Sequence, residues 1–260
     1  MRLDVDACCD IGCVRQNNED MILVGGRLLR DAVFGERVES PGRLVLAVAD
    51  GMGGAAAGEH ASEYALSRLS AYVQAAPADL DAADLCGVLE LWAYRTHAEL
   101  LEQGRQDPRR AGMGTTVVGL LLADGRGWRF HAGDSRLYRR RAGVLERLTQ
   151  DHSLRQSSGD AAAPGNLLVN ALGGGADSHL ECAEISGGIQ PFDRFLLCSD
   201  GLTEMVDDEH IDRALRADRE TAARTLVQMA REAGGPDNIS VLIADVPRAT
   251  APQASSPQDA

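Results

Sequence analysis

Leu44-Val45-Leu46-Ala47-Val48-Ala49-Asp50-Gly51-Met52-Gly53-Gly54 is an apolar run closed by one carboxylate and a glycine-rich turn. A short continuous apolar run suits a strand buried on both faces. The fold turns on the two segments that come after this strand. Ala61, Ala65, Leu69, Tyr72 and Val73 mark the apolar face of one helix, and Leu85, Val88, Leu89, Trp92, Thr96 and Leu100 mark that of a second. Two helices in succession break the strict strand-helix alternation of a doubly wound parallel sheet. The expected class is α+β, an antiparallel sheet system covered by helices.

Working outward, segments 2–11 and 20–24 read as strands before this stretch. Thr115–Leu122, Trp128–His131, Arg136–Arg140, Arg194–Cys198 and Ile239–Val246 read as strands after it. Gly133-Asp134 between two of these predicts a hairpin turn. Ala222, Leu226, Met229, Ala230 and Ala233 mark a third helix, stopped by Gly234-Gly235. Ser157–Gly165 is small and polar and reads as a mobile loop. With neither a repeat nor a clean linker, one domain is expected over 1–246. Residues 247–260, rich in Pro, Ala, Ser and Gln, are expected to form a disordered tail.

The 260 residues are 44% hydrophobic and 25% charged, as in ordinary globular proteins. A net charge of -13 argues against a nucleic-acid partner, whose binder would be basic. No apolar stretch is long enough to span a bilayer and the N-terminus lacks a signal-peptide core, so a cytoplasmic protein is expected. Of the six cysteines, none forms a Cys-x-x-Cys pair. All six (Cys8, Cys9, Cys13, Cys86, Cys182 and Cys198) are read as structural and unpaired. Adjacent Cys8 and Cys9 would face opposite sides of a strand.

The chemistry lies in carboxylates placed at turns. Asp50 follows the opening strand. Asp200, in Ser199-Asp200-Gly201, follows another. Asp237, in Gly235-Pro236-Asp237-Asn238, lies between a helix stop and a strand. Each alone reads as an ordinary turn. Together, carboxylates gathered at strand ends are how proteins hold hard cations such as Mg2+ or Mn2+. Arg15 precedes Glu19 and Asp20, and a guanidinium grips phosphate oxygens with paired hydrogen bonds. Asp134 stands in a further acidic turn, Gly133-Asp134-Ser135-Arg136. His60, His97, His131, His152, His179 and His210 are dispersed in sequence. Arg139, Arg140 and Arg141 read as a solvated strand end, the alternative being a docking patch.

This ordered set resembles the metal-dependent phosphatases of the protein phosphatase 2C family, in their compact bacterial form. Gly114-Thr115-Thr116, Leu148-Thr149-Gln150-Asp151-His152-Ser153 and Asn170-Ala171-Leu172-Gly173 extend the match over nearly the whole folded chain. The resemblance implies a four-layer α-β-β-α sandwich of two antiparallel sheets flanked by helices. It implies two tightly bound Mn2+ or Mg2+ ions, with Asp50 bridging and the Gly51 carbonyl on one ion, and Asp200 and Asp237 on the other. It implies that Glu19 and Asp20 act partly through water, that Arg15 holds the phosphate, and that Asp134 with Asp200 makes a weaker third site.

The implied activity is hydrolysis of phosphoserine and phosphothreonine in proteins by a metal-activated water. A monomer opposing a serine/threonine kinase in signal transduction would fit, with no membrane insertion. The alternatives are a non-catalytic binding relative and a hydrolase of small phosphoesters. Met52 departs from the pattern, standing where animal members carry a histidine proposed as general acid. So does Glu204, where many members have aspartate, and so does the short, Ala- and Gly-rich stretch between Ser153 and Asn170.

Overall fold

The computed structural model describes residues 2–40, 42–53, 57–160 and 167–248. The side chains of residues 82 and 83, most of the tail expected over 247–260, and part of the loop expected over Ser157–Gly165 lie outside that description.

The strands are β1 (Arg2–Asp10), β2 (Asp20–Val24), β3 (Arg27–Leu29), β4 (Ala32–Glu39), β5 (Leu44–Met52), β6 (Gly114–Thr115), β7 (Val117–Ala123), β8 (Arg126–Ala132), β9 (Arg136–Arg141), β10 (Val144–Arg147), β11 (Glu181–Glu184), β12 (Arg194–Cys198) and β13 (Ile239–Asp245). The helices are α1 (Ala57–Ala75), α2 (Ala82–Gln106), α3 (Leu154–Ser158), α4 (Asp200–Thr203), α5 (Asp208–Ala214) and α6 (Arg219–Glu232). One sheet runs β10-β9-β12-β13-β1-β4 and the other β11-β8-β7-β5-β2-β3, with β6 paired to β5. All the strand pairs are antiparallel.

Strand alternation distributes one sequence between two cores. On β5, Leu44, Leu46 and Val48 point between the sheets, where they meet Val118 and Leu120 of β7 and Leu242 of β13. Val45, Ala47 and Ala49 point the other way, against Leu66 and Leu69 of α1 and Leu89 and Trp92 of α2. On the second sheet, Val241 and Ile243 of β13 face outward to Ile211 of α5 and Leu226 of α6. The run at 44–49 is therefore apolar throughout because both its faces are covered. Three cores between four layers give the α-β-β-α sandwich.

The two long helices bridge β5 to β7, which are direct neighbours in the sheet. Asp81 caps α2 reciprocally with Asp84, and Trp92 donates its ring N–H to the Ala65 carbonyl of α1 at 3.1 Å. Helix α6 begins on Asp218, which accepts from the Thr221 N–H, and ends at Gly234-Gly235. Cys9 faces the space between the sheets and Cys8 the opposite core, as strand geometry requires.

Three expectations are corrected. The turn Gly133-Asp134-Ser135 does not join a hairpin: β8 lies in one sheet and β9 in the other, so the chain crosses between sheets there. Gly133, at φ +115°, makes the corner, and a Cβ on it would meet the Thr116 side chain at 2.6 Å. The real hairpin beside it is β7–β8, turned by Asp124-Gly125. Cys86 and Cys182 are not unpaired but form a disulfide that ties α2 to the edge strand β11. The arginines at 139–141 are not a solvated end. Arg139 pairs with Glu146, Arg140 with Asp212 and Arg141 with Asp193, because β9 lies inside the sheet with acidic neighbours on both sides.

Candidate metal centre

Strand register places the first two carboxylates. Asp20 opens β2 and pairs directly with Asp50 of β5. Asp20 is fully buried, and one of its oxygens accepts from the Ser199 hydroxyl at 2.8 Å. Ser199 belongs to the other sheet's end, and its hydroxyl oxygen accepts from the Ser240 N–H at 3.0 Å. That relay draws Asp200, the next residue, toward Asp20 and Asp50.

Gly201 explains how Asp200 meets Asp237. A Cβ at this position would lie 1.9 Å from the Asn238 carbonyl oxygen, so only glycine lets the two turns touch. Asn238 then staples the N-terminal loop to the site. Its amide donates to the carbonyls of Ile11 and Asn17, both at 3.0 Å, and its oxygen accepts from the Glu19 N–H at 2.8 Å. The Gly51 N–H donates to the Glu19 carbonyl at 3.1 Å, fixing that loop to β5 as well. Arg15 stands at the rim, half exposed, with its guanidinium 2.6 Å from Asp237.

Asp20, Asp50, Asp134, Asp200 and Asp237 thus form one electrostatically connected group, with Glu19 and Glu204 at its margins. Burial raises the carboxyl pKa values of Asp20, Asp50, Asp134 and Asp200, and repulsion between neighbours raises them further. Asp20 is pushed up to about 7, Asp134 to about 8 and Asp200 to about 6. Asp50 rises well above the usual range, through burial first and then the charges of Asp20 and Asp200. Asp50 and Asp200 are close enough for each to bear on the other's proton. Glu19 is raised as well, mainly by burial and against the pull of Arg15.

Such a group fits divalent cations on the chemistry of its donors. Every side-chain donor is an oxygen. One oxygen each of Asp20 and Asp200 is buried with no hydrogen-bond partner among the described residues. Among those residues the carboxylates crowd one another, with Arg15 at the rim beside Asp237.

A tighter group elsewhere has a different character. His131, His152 and Glu181 place one ligand atom each within 4.8 Å of one another. The rings of His131 and His152 stack at 4.5 Å, and His179 lies 4.9 Å from His152. These histidines, dispersed in sequence, are gathered by β8, β11 and the 152 turn. Hydrogen bonds account for much of the cluster, but His131 Nδ1 is buried without a partner among the described residues. His152 Nδ1 accepts from the Gly133 N–H and the Asn170 amide, which leaves its Nε2 proton for Glu181 at 3.1 Å. His131 faces the Gln150 carbonyl at 2.9 Å, and burial lowers its pKa to about 4. Through the His152–Gly133 hydrogen bond the cluster holds the Gly133 corner that carries Asp134.

Sequence reasoning singled out each carboxylate of the centre but missed the roles of Ser199, Ser240 and Thr116. Thr116 accepts from the Asp50 N–H at 3.1 Å and contacts the Ser135 hydroxyl at 2.8 Å. The Gly-Thr-Thr run before an apolar strand was the available signal. Met52 follows Gly51 at the end of β5, with no proton to donate. Between Ser153 and Asn170, the described residues close back on themselves: the Leu154 N–H donates to the Leu167 carbonyl and the Val169 N–H to that of His152.

The protein phosphatase 2C family model matches residues 22–237. The serine/threonine protein phosphatase PstP of Mycobacterium tuberculosis is 35% identical over 249 residues, which is 91% of this chain but 44% of PstP. The chain therefore spans less than half of that relative's length. The serine/threonine phosphatase stp of Listeria monocytogenes is 33% identical over 91% of this chain and 93% of its own. The crystal structure of the PstP catalytic domain in complex with two manganese ions superposes with a TM-score of 0.76 at 33% identity, covering 95% of this chain and all of that one. The chain belongs to the protein phosphatase 2C family.

Proposed function

We propose that this chain is a metal-dependent phosphatase acting on phosphoserine and phosphothreonine in proteins. The observation that carries this reading is the set of carboxylates drawn from the ends of both sheets, with Arg15 at its rim. Asp50 with the Gly51 carbonyl would hold one Mn2+ or Mg2+ ion, and Asp200 and Asp237 a second that Asp50 shares. Asp20 and Glu19 would act on both through water. Asp134 with Asp200 would hold a third, more weakly. Bound cations supply Lewis acidity, which lowers the pKa of water and offsets charge on phosphoryl oxygens.

The protein's own residues do the rest. Arg15 is 51% exposed at its side chain, so its fork reaches solvent on the substrate side while Asp237 anchors it. It binds and orients the phosphate. Asn238 and Gly51 hold the loop that carries Arg15 and Glu19. Since Met52 cannot protonate the departing alkoxide, that proton comes from solvent or from another group.

The kept carboxylates favour this reading over a non-catalytic relative, in which ligand loss would be expected. No helix of the described residues is long and apolar enough to cross a membrane. A monomer working in the cytoplasm against a serine/threonine kinase is the setting we infer.

The test compares phosphothreonine peptides with p-nitrophenyl phosphate, with Mn2+, with Mg2+ and after EDTA. Turnover of peptides that needs added metal is expected. Full peptide hydrolysis after verified metal removal would refute the metal centre, and hydrolysis of the small ester alone would refute the protein substrate.

A further inference from the structure

Beside the acidic centre lies a cavity of about 440 Å³, whose lining includes Asp134, Asp151, Asp200 and Glu204 together with Arg136, Arg147 and Arg155. That volume lies within the range of ligand pockets. The arginine wall is built. Arg136 grips Asp151 with two hydrogen bonds, at 3.0 and 2.7 Å, and reaches the Tyr138 hydroxyl at 3.3 Å. Arg147 donates to the same carboxylate at 2.8 Å and to the Thr149 carbonyl at 2.7 Å. Asp151 therefore serves two guanidiniums at once, so this pair of arginines outweighs the one carboxylate between them. Arg155 adds a third guanidinium to the lining. Arg147 commits two N–H groups of its five in this way, and its side chain is 27% exposed.

A cationic wall is unexpected on a chain of net charge -13, whose general field repels acidic polypeptides. Its placement matters because the cavity shares Asp134 and Asp200 with the centre. Whatever fills it sits next to the phosphoryl group under attack. Guanidinium forks match carboxylate and phosphate oxygens in geometry as well as charge.

We propose that this cavity is a subsite for a second anionic side chain of the substrate, a carboxylate or another phosphoryl group, within about three residues of the phosphorylated one along an extended segment. The inference rests on the phosphatase reading above. It makes Arg147 and Arg155 specificity-determining residues, which select acidic or multiply phosphorylated segments. Arg136, more deeply held, positions Asp151.

The experiment uses the full chain with Mn2+ and a set of phosphothreonine peptides. One is neutral; the others carry a single glutamate or phosphoserine at each position from three before to three after the phosphothreonine. The expected result is a roughly 5–20-fold higher kcat/KM for the favoured acidic positions, expressed mainly in KM and shrinking as salt screens the contact. In Arg155→Gln, and separately in Arg147→Gln, that ratio should collapse toward one. Glutamate against phosphoserine at the favoured position separates the two anion sources. Equal turnover of neutral and acidic peptides by the unaltered enzyme would overturn the subsite while leaving the phosphatase reading intact. A ratio unchanged in both variants would do the same. Absence of turnover for every phosphopeptide would overturn the underlying reading and the subsite with it.

Discussion

Asp50 faces Asp20 across a strand pair and feels the charge of Asp200, so its own charge is held at a cost unless cations share it. Asp50→Asn keeps the volume and removes the charge. Turnover of a phosphopeptide should fall by more than about 100-fold, since losing only an outer partner of a metal ligand costs roughly 10–100-fold. The metal-free variant should nonetheless melt no lower than the unaltered protein at pH 8, because a repulsion has gone. Near-normal rates, or a lower metal-free melting point, would contradict the assignment. Arg15→Ala should cost about 1.5–3 kcal/mol in kcat/KM, roughly 10–100-fold. Most of it should appear in KM, because the ground-state phosphate already carries the charge that Arg15 grips. A kcat/KM left intact would make Arg15 a bystander to Asp237. The candidate carboxylates were legible because each closes an apolar run or a turn. Asn238 was legible only as a turn residue, since its three contacts with Ile11, Asn17 and Glu19 join positions more than 200 residues apart.

Pairs of elements carry the next constraint. The contact between the α4 turn and the start of β13 passes through Gly201, where a methyl group would strike the Asn238 carbonyl. Gly201→Ala should therefore overpack this junction and destabilise the protein by about 1–3 kcal/mol. It should also weaken Mn2+ binding by moving Asp200 away from Asp237. Calorimetry of melting and of Mn2+ titration would show both, and no change in either would mean that the junction yields freely. Most strands and the three long helices could be read locally, because their apolar periods match their burial. The β8–β9 turn could not. Gly133-Asp134 between two strands has every local mark of a hairpin, but which sheet receives β9 is decided by a distant partner, β12. The same holds for Arg140 and Arg141, whose acids come from positions 212 and 193. The Cys86–Cys182 bond spans 96 residues and likewise left no local trace.

The whole molecule feels the centre through proton linkage. In the metal-free protein, Asp20, Asp134 and Asp200 have folded pKa values of about 7, 8 and 6, against 3.8 for a free carboxyl. The folded state thus keeps protons that the unfolded chain releases, and stability present near pH 4 is lost as pH rises toward 8. His131 works in the opposite sense, but only below its ordinary value of 6.5. Between about pH 6.5 and 8.5 the melting point of the metal-free protein should accordingly fall, and saturating Mn2+ should flatten or reverse that slope. A metal-free melting point that holds steady or climbs across this window would contradict the crowded-carboxylate picture.

The centre also draws on both halves of the sandwich: Asp20 and Asp50 come from one sheet, and Asp200 and Asp237 from the end of the other. Ions held there would act as rivets. The sheets cannot part at that end until the rivets are drawn, so cations should slow escape from the native state and not merely shift its balance. In strong denaturant the unfolding rate constant should drop as free Mn2+ rises, and the lifetime of the folded protein would then follow the supply of that cation.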